Sequence, residues 1–138
     1  MSEINIDARL IGASAERALV VGPDDTAWHW GSGRVQVFAT PFMIAQMECA
    51  AADVVEPLLP PGYQTVGSLV NVRHLAATPL GGRVTARAVL TGVEGRKLSY
   101  RVEAYDDAGL VGEGEHERYI VEEARFVAKA SARLPKPE

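Results

Sequence analysis

The sequence predicts an α+β fold in which one long helix precedes an antiparallel meander of strands. Three observations carry this. A single stretch, from Thr40-Pro41 to about Glu56, has helix punctuation at both ends. Four later stretches alternate apolar and polar residues with a period of two, as strands with one covered face do. Turn signals rich in glycine, proline and aspartate separate those four stretches.

Ala18-Leu-Val-Val-Gly22 reads as a short strand ended by Gly-Pro-Asp-Asp. Residues 27–37 combine two tryptophans with two glycines and lack periodicity. They read as an irregular surface loop with aromatic anchors, a candidate lid. Thr40 is expected to cap the helix with its hydroxyl, and Pro41 suits the first helical position. Pro57 and Pro60-Pro61-Gly62 stop the helix near Glu56.

The strands are expected at Thr65–Ala76, Arg83–Val93, Lys97–Tyr105 and Leu110–Val121. In the second, Val84, Ala86, Ala88 and Leu90 alternate with Thr85, Arg87, Val89 and Thr91. In the third, Leu98, Tyr100, Val102 and Ala104 alternate with Ser99, Arg101, Glu103 and Tyr105. After Glu123 the tail carries Arg125, Lys129 and Arg133 at four-residue spacing, and it reads as a short helix or a frayed end. One helix covers such a sheet poorly, and the apolar surface left over predicts a homodimer.

The bulk properties narrow the function. The 138 residues are expected to form one domain, residues 1–138, and to bury roughly two thirds of the unfolded surface. A net charge of −4 and the lack of a basic stripe argue against a nucleic-acid partner. No apolar run approaches the ~20 residues that cross a bilayer, so no membrane association is expected. Met1 to Asp7 has no basic or apolar signal region, and Cys49 has no partner cysteine. Both point to a reducing, cytoplasmic setting.

Two residues call for a chemical explanation. On a helical wheel with Ile44 at zero, Glu48 falls near ~40°, beside Val55 and Ala51 and inside the apolar stripe. A carboxylate so placed would be desolvated and more basic. The plain alternative is a carboxylate at the stripe's edge that reaches water. His74 shares strand parity with Val70, Val72 and Ala76, so it should face the helix. The plain alternative is a core histidine with both nitrogens bonded. Two proton-handling groups aimed at one core favour a functional site. Thr40, at the helix start, also lies where free N–H groups attract a carbonyl oxygen or an anion.

Other motifs fail. His116-Glu117 opens an H-E-x-x-H string that Ile120 ends, and the three scattered histidines with one cysteine make no metal set. Gly31-Ser32-Gly33 lacks the strand–helix frame of a nucleophile elbow, and Gly112-Glu113-Gly114 lacks a dinucleotide fingerprint. Cys49 reads as a small packing residue on the helix's polar side.

Val37-Phe-Ala-Thr-Pro-Phe-Met-Ile-Ala-Gln-Met-Glu48, Gly67, Val72-Arg-His-Leu-Ala-Ala-Thr-Pro79, Val93-Glu-Gly-Arg-Lys-Leu-Ser-Tyr-Arg101 and Gly114-Glu-His-Glu-Arg118 together resemble the fluoroacetyl-CoA thioesterase family. The likeness runs from about residue 37 to the tail, and the Thr40–Glu48 and Glu48–His74 spacings agree with it. It implies the hotdog fold, a curved antiparallel sheet wrapped around one long helix. It also implies a homodimer with acyl-CoA sites at the subunit interface. By the same resemblance Thr40, Glu48 and His74 are catalytic candidates. Gly67 would lie against the thioester, and Arg118 would stand near the site. No metal and no cofactor are implied beyond the coenzyme A moiety of the substrate.

The lid departs from the family. Trp28-His29-Trp30-Gly-Ser-Gly-Arg34 stands where the fluoroacetyl-specific enzyme has phenylalanines. The expected activity is therefore hydrolysis of a small acyl-CoA thioester without fluoroacetyl specificity, with water, Thr40 or Glu48 as the attacking group. The rival reading is a non-catalytic hotdog protein that binds acyl-CoA or another small molecule. Enoyl hydration ranks lower, because the hydratase Asp-then-His motif is missing.

Overall fold

The structure, a computed structural model, describes residues 6–31 and 33–137. Its elements are β1 (Ser14–Val20), α1 (Ala27–Trp30), α2 (Thr40–Val55), β2 (Tyr63–His74), β3 (Arg83–Glu94), β4 (Lys97–Asp106), β5 (Gly109–Glu122) and α3 (Glu123–Ser131). The five strands form one sheet in the order β1-β3-β4-β5-β2, with every neighbour antiparallel. Register shifts at Gly67/Leu69, Leu90/Gly92 and Ala104/Tyr105 bend three of the strands, and the sheet wraps α2 in the hotdog arrangement.

α2 buries Met43, Met47, Ala50, Ala51 and Val55. These meet the inward residues of β3 (Val84, Ala86, Ala88, Leu90) and β4 (Leu98, Tyr100, Val102, Ala104), all at most 1% exposed. The alternation read in β3 and β4 is therefore the core itself. β2 is different. It is an edge strand, and Leu69 and Val70 are each 42% exposed. The helix leans over the β1–β3–β4 side and leaves this edge uncovered. Among the described residues no helix is long and apolar enough to cross a membrane.

Four local expectations change. Thr40 does not cap α2. The cap is Ala39 in extended geometry with no side-chain bond, and Thr40 already lies in the first turn. The bridges Thr26–Phe38 and Val37–Pro79 hold the chain extended up to Ala39, and this sets where the helix starts. Residues 27–37 are not irregular throughout, because Ala27–Trp30 make one helical turn. Thr26 caps that turn by accepting from His29 N–H at 3.3 Å, and Gly31 ends it at φ 73°, a left-handed conformation that suits glycine. β1 runs from Ser14 to Val20 rather than from Ala18 to Gly22, held by its pairing with β3. β2 ends at His74, so Ala76 lies beyond the strand and is exposed.

Candidate active site

Helix phase and strand parity place the candidate residues in two groups. The first lies where α2 starts and β2 ends. Thr40 Oγ1 and His74 Nδ1 are 2.7 Å apart. The hydroxyl expected to cap the helix is spent on the histidine. His74 faces inward beside its β5 partner Gly112, whose missing side chain lets Met43 of α2 pack directly beneath it. Phe38 meets the His74 ring edge-on at 6.4 Å. Phe42 packs on Phe38 at 5.9 Å, and Trp30 of α1 packs edge-on against Phe42 at 5.9 Å. An aromatic ladder thus runs from the lid to the histidine.

The other histidine nitrogen, Nε2, is buried with no hydrogen-bond partner. Burial is the main cause that lowers the His74 pKa below the usual 6.5, and the nearby Ala76 backbone acts more weakly the other way. The imidazole is therefore neutral near pH 7 and able to accept a proton. Beside it opens a cavity of about 330 Å³ lined by Ala27, Val37, Phe38, Thr40, His74 and the Leu75–Ala77 segment.

The second group lies midway along α2. Glu48 does not sit inside the apolar stripe. The buried face centres near ~300° on the Ile44 wheel, about 100° from Glu48. Ile44, which set the zero, is itself only half-buried. The Glu48 side chain keeps 39% of its surface exposed, and its Oε2 lies 3.5 Å from Arg118 Nη1. The edge placement is the plain alternative given above, with one addition: the carboxylate has a buried cationic neighbour.

Arg118 is 7% exposed and firmly held. Its Nε donates to Thr65 Oγ1 and its Nη2 to the Thr65 carbonyl, each at 2.8 Å. The Thr65 hydroxyl in turn donates to Glu56 at 2.7 Å. Gly67 stands opposite Arg118 in the β2–β5 register. A Cβ on Gly67 would lie 2.8 Å from Glu48 Oε2, so glycine is what lets this carboxylate reach the β2 backbone. A cavity of about 370 Å³ here is lined by Glu48, Cys49, Glu56, Gln64, Thr65 and Arg118, among others. Cys49 is half-buried beside Glu48, about 160° around α2 from the buried face, on the polar side expected for it.

The two groups do not meet within this chain. Eight residues of helix separate Thr40 from Glu48 by about 12 Å along the axis and about 80° around it. No residue lines both cavities. Among the described residues no group of three metal-ligating side chains converges.

Sequence reasoning missed Thr65, Glu56 and His116. His116 entered only as the start of a failed zinc motif, yet it is 1% exposed and bonded to Arg118. The available signal was parity, because residues 116 and 118 of a strand share a face.

The fluoroacetyl-CoA-specific thioesterase family model matches residues 21–124. The fluoroacetyl-CoA thioesterase of Streptantibioticus cattleyicolor is 44% identical over 100 residues, covering 72% of each chain. The solved structure of the fluoroacetyl-CoA thioesterase FlK superposes with a TM-score of 0.86 at 38% identity, over 94% of this chain and 100% of that one. A thioesterase superfamily member from Thermus thermophilus superposes at 0.80 with 36% identity, over 88% and 90% of the two chains. The chain belongs to the fluoroacetyl-CoA-specific thioesterase family, and it is a thioester hydrolase of hotdog fold.

Proposed function

We propose that the protein hydrolyses small acyl-CoA thioesters at a site built from two protomers. The observation that carries this is the division of the candidate residues. Thr40 and His74 form one pair, Glu48, Gly67 and Arg118 form another, and one protomer holds them apart. The exposed β2 edge, with Leu69 and Val70 uncovered, offers a self-complementary surface on which a two-fold partner can bring the second group of one chain to the first group of the other.

In this scheme the Thr40 hydroxyl attacks the thioester carbonyl carbon and its proton passes to Nδ1 of neutral His74. The negative charge gathers on the carbonyl oxygen, where the backbone of Gly67 and the cation of Arg118 supply stabilisation. The C–S bond breaks, and the thiolate of coenzyme A leaves and takes the proton from His74. Water, activated by Glu48, then releases the acid and restores Thr40. Direct attack by water in the same place uses the same base. Coenzyme A enters as part of the substrate, and such a substrate accords with the cytoplasmic setting expected from the lone Cys49.

The lid supports the choice of acyl group. Trp30 packs on Phe42, while Trp28 is 61% exposed. We read this entrance as one that admits small acyl groups and does not select fluoroacetyl over acetyl. The test is steady-state hydrolysis of acetyl-, fluoroacetyl-, propionyl- and butyryl-CoA. The expected outcome is turnover of several, with kcat/KM for fluoroacetyl- and acetyl-CoA within about tenfold of each other. Saturable binding without hydrolysis across the panel would leave only the binding-protein reading. A large fluoroacetyl preference would overturn the specificity reading alone.

A further inference from the structure

β5 carries a buried histidine that this scheme does not use. His116 makes two hydrogen bonds, and the partners dictate its protonation. Nδ1 lies 2.7 Å from the Leu69 carbonyl, which can only accept, so Nδ1 carries the proton. Nε2 lies 3.2 Å from Arg118 Nη1, which can only donate, so Nε2 offers its lone pair. Both demands are met by one form, the neutral Nδ1–H tautomer. A second proton would set N–H against N–H and place two cations side by side. Burial, with the Arg118 cation as a further cause, holds the His116 pKa below that of an ordinary histidine.

The bond from Nη1 completes the hold on Arg118. Thr65 fixes the Nε and Nη2 edge of the guanidinium, and His116 fixes the far end. Nη1 is then the nitrogen that faces Glu48, at 3.5 Å. All of these groups crowd one point. A Cβ on Gly67 would lie 2.8 Å from Glu48 Oε2, 3.2 Å from His116 Cε1 and 3.5 Å from Arg118 Nη1. Leu69, the other partner of His116, closes the bulge that follows Gly67. One imidazole therefore links the backbone at Gly67 to the aim of Arg118.

We propose that His116 is a positioning residue for the thioesterase reaction, aiming Arg118 Nη1 at the Glu48–Gly67 corner while it pins the β2 bulge. The inference rests on the reading above that this corner forms part of the site. Two truncations separate the links. Gln can set an acceptor near the place of Nε2, and Asn can set a donor near the place of Nδ1. His116→Leu removes both.

The experiment is acetyl-CoA hydrolysis by wild type and these three variants, with folding checked by circular dichroism and thermal melting. The expected result is a fall in kcat of about 10- to 100-fold for His116→Leu with little change in KM. His116→Gln is expected to recover most of the lost kcat and His116→Asn much less. Folded Leu and Gln variants with wild-type kcat would overturn the inference and leave the thioesterase reading intact. So would an Asn variant that matches or exceeds Gln, a comparison that decides the matter even if the Leu variant does not fold. Wild type without turnover on any thioester would sink the functional reading first, and this inference with it.

Discussion

The β3–β4 half of the sheet and the β5–β2 half follow the same alternation but put different residues inward. In β3 and β4 the inward positions are Val84, Ala86, Ala88, Leu90, Leu98, Tyr100, Val102 and Ala104, all at most 1% exposed. In β5 and β2 they include Gly112, His116, Arg118, Thr65, Gly67 and His74. The first half holds the helix, and the second half is shaped by what the helix leaves open. Its glycines admit Met43 and Glu48 to the backbone, and its buried polar groups satisfy one another in a chain from Glu56 to Leu69. The contrast teaches that one periodic pattern can encode packing and chemistry side by side, with only the residue types telling them apart.

This comparison predicts that activity and stability separate along the sheet. The largest effect is expected on the chemical side. His74→Ala and Thr40→Ala should each lower kcat by about 10²- to 10⁴-fold, because the proposed base and nucleophile act only in the reaction. Both should melt close to wild type, since Thr40 is exposed and His74 only half-buried. A melting temperature that falls in step with activity would blur the contrast. Next comes the packing side. Leu98→Ala should cost about 2–5 kcal/mol by denaturant titration, because Leu98 is 0% exposed and its loss leaves a cavity. The folded fraction should keep near-normal kcat.

Gly67→Ala tests the border between the two. The new methyl group would press on the free end of Glu48 and the His116 ring. We expect a loss in kcat/KM of about 10-fold or more, with a stability change under about 1 kcal/mol. Normal activity would mean that the Glu48–Gly67 contact plays no part. The smallest effect concerns pH. The proposed base His74 acts when neutral, and burial lowers its pKa, so activity should hold as pH falls to 6.5 and decline only below it. For stability the sign is the same. A histidine with a depressed folded pKa favours the native state above its unfolded value and loses that contribution as pH falls through the range below 6.5. An acid limb centred above 6.5 in the kcat/KM profile would count against His74 as the base.

The limits of β3, β4 and β5 were readable to within one residue because their alternation against the covered face reflects packing. His74 was legible for the same reason, since parity with Val70 and Val72 turned it inward. β1 was misplaced because its inward Ala15 is too small to stand out from Glu16 and Arg17. The bond of Thr40 to His74 was hidden because capping depends on where the helix starts, and bridges to Thr26 and Pro79 decide that. Glu48 was set too deep because the wheel was centred on Ile44 instead of on Met43, Met47 and Ala50. His116, Thr65 and Glu56 were not singled out, because their value lies in bonds between distant strands and a helix end. Such bonds have no local pattern.

The proposed two-protomer site sets Thr40–His74 of one protomer against Glu48–Gly67–Arg118 of another. It is tested most directly by mixing two inactive proteins, Thr40→Ala and Glu48→Gln, under conditions that exchange subunits. Each alone is expected to be nearly inert, and an equal mixture to regain about one quarter of wild-type activity, because half the dimers are mixed and each holds one intact site. A mixture no more active than its parts, with subunit exchange verified, would contradict it.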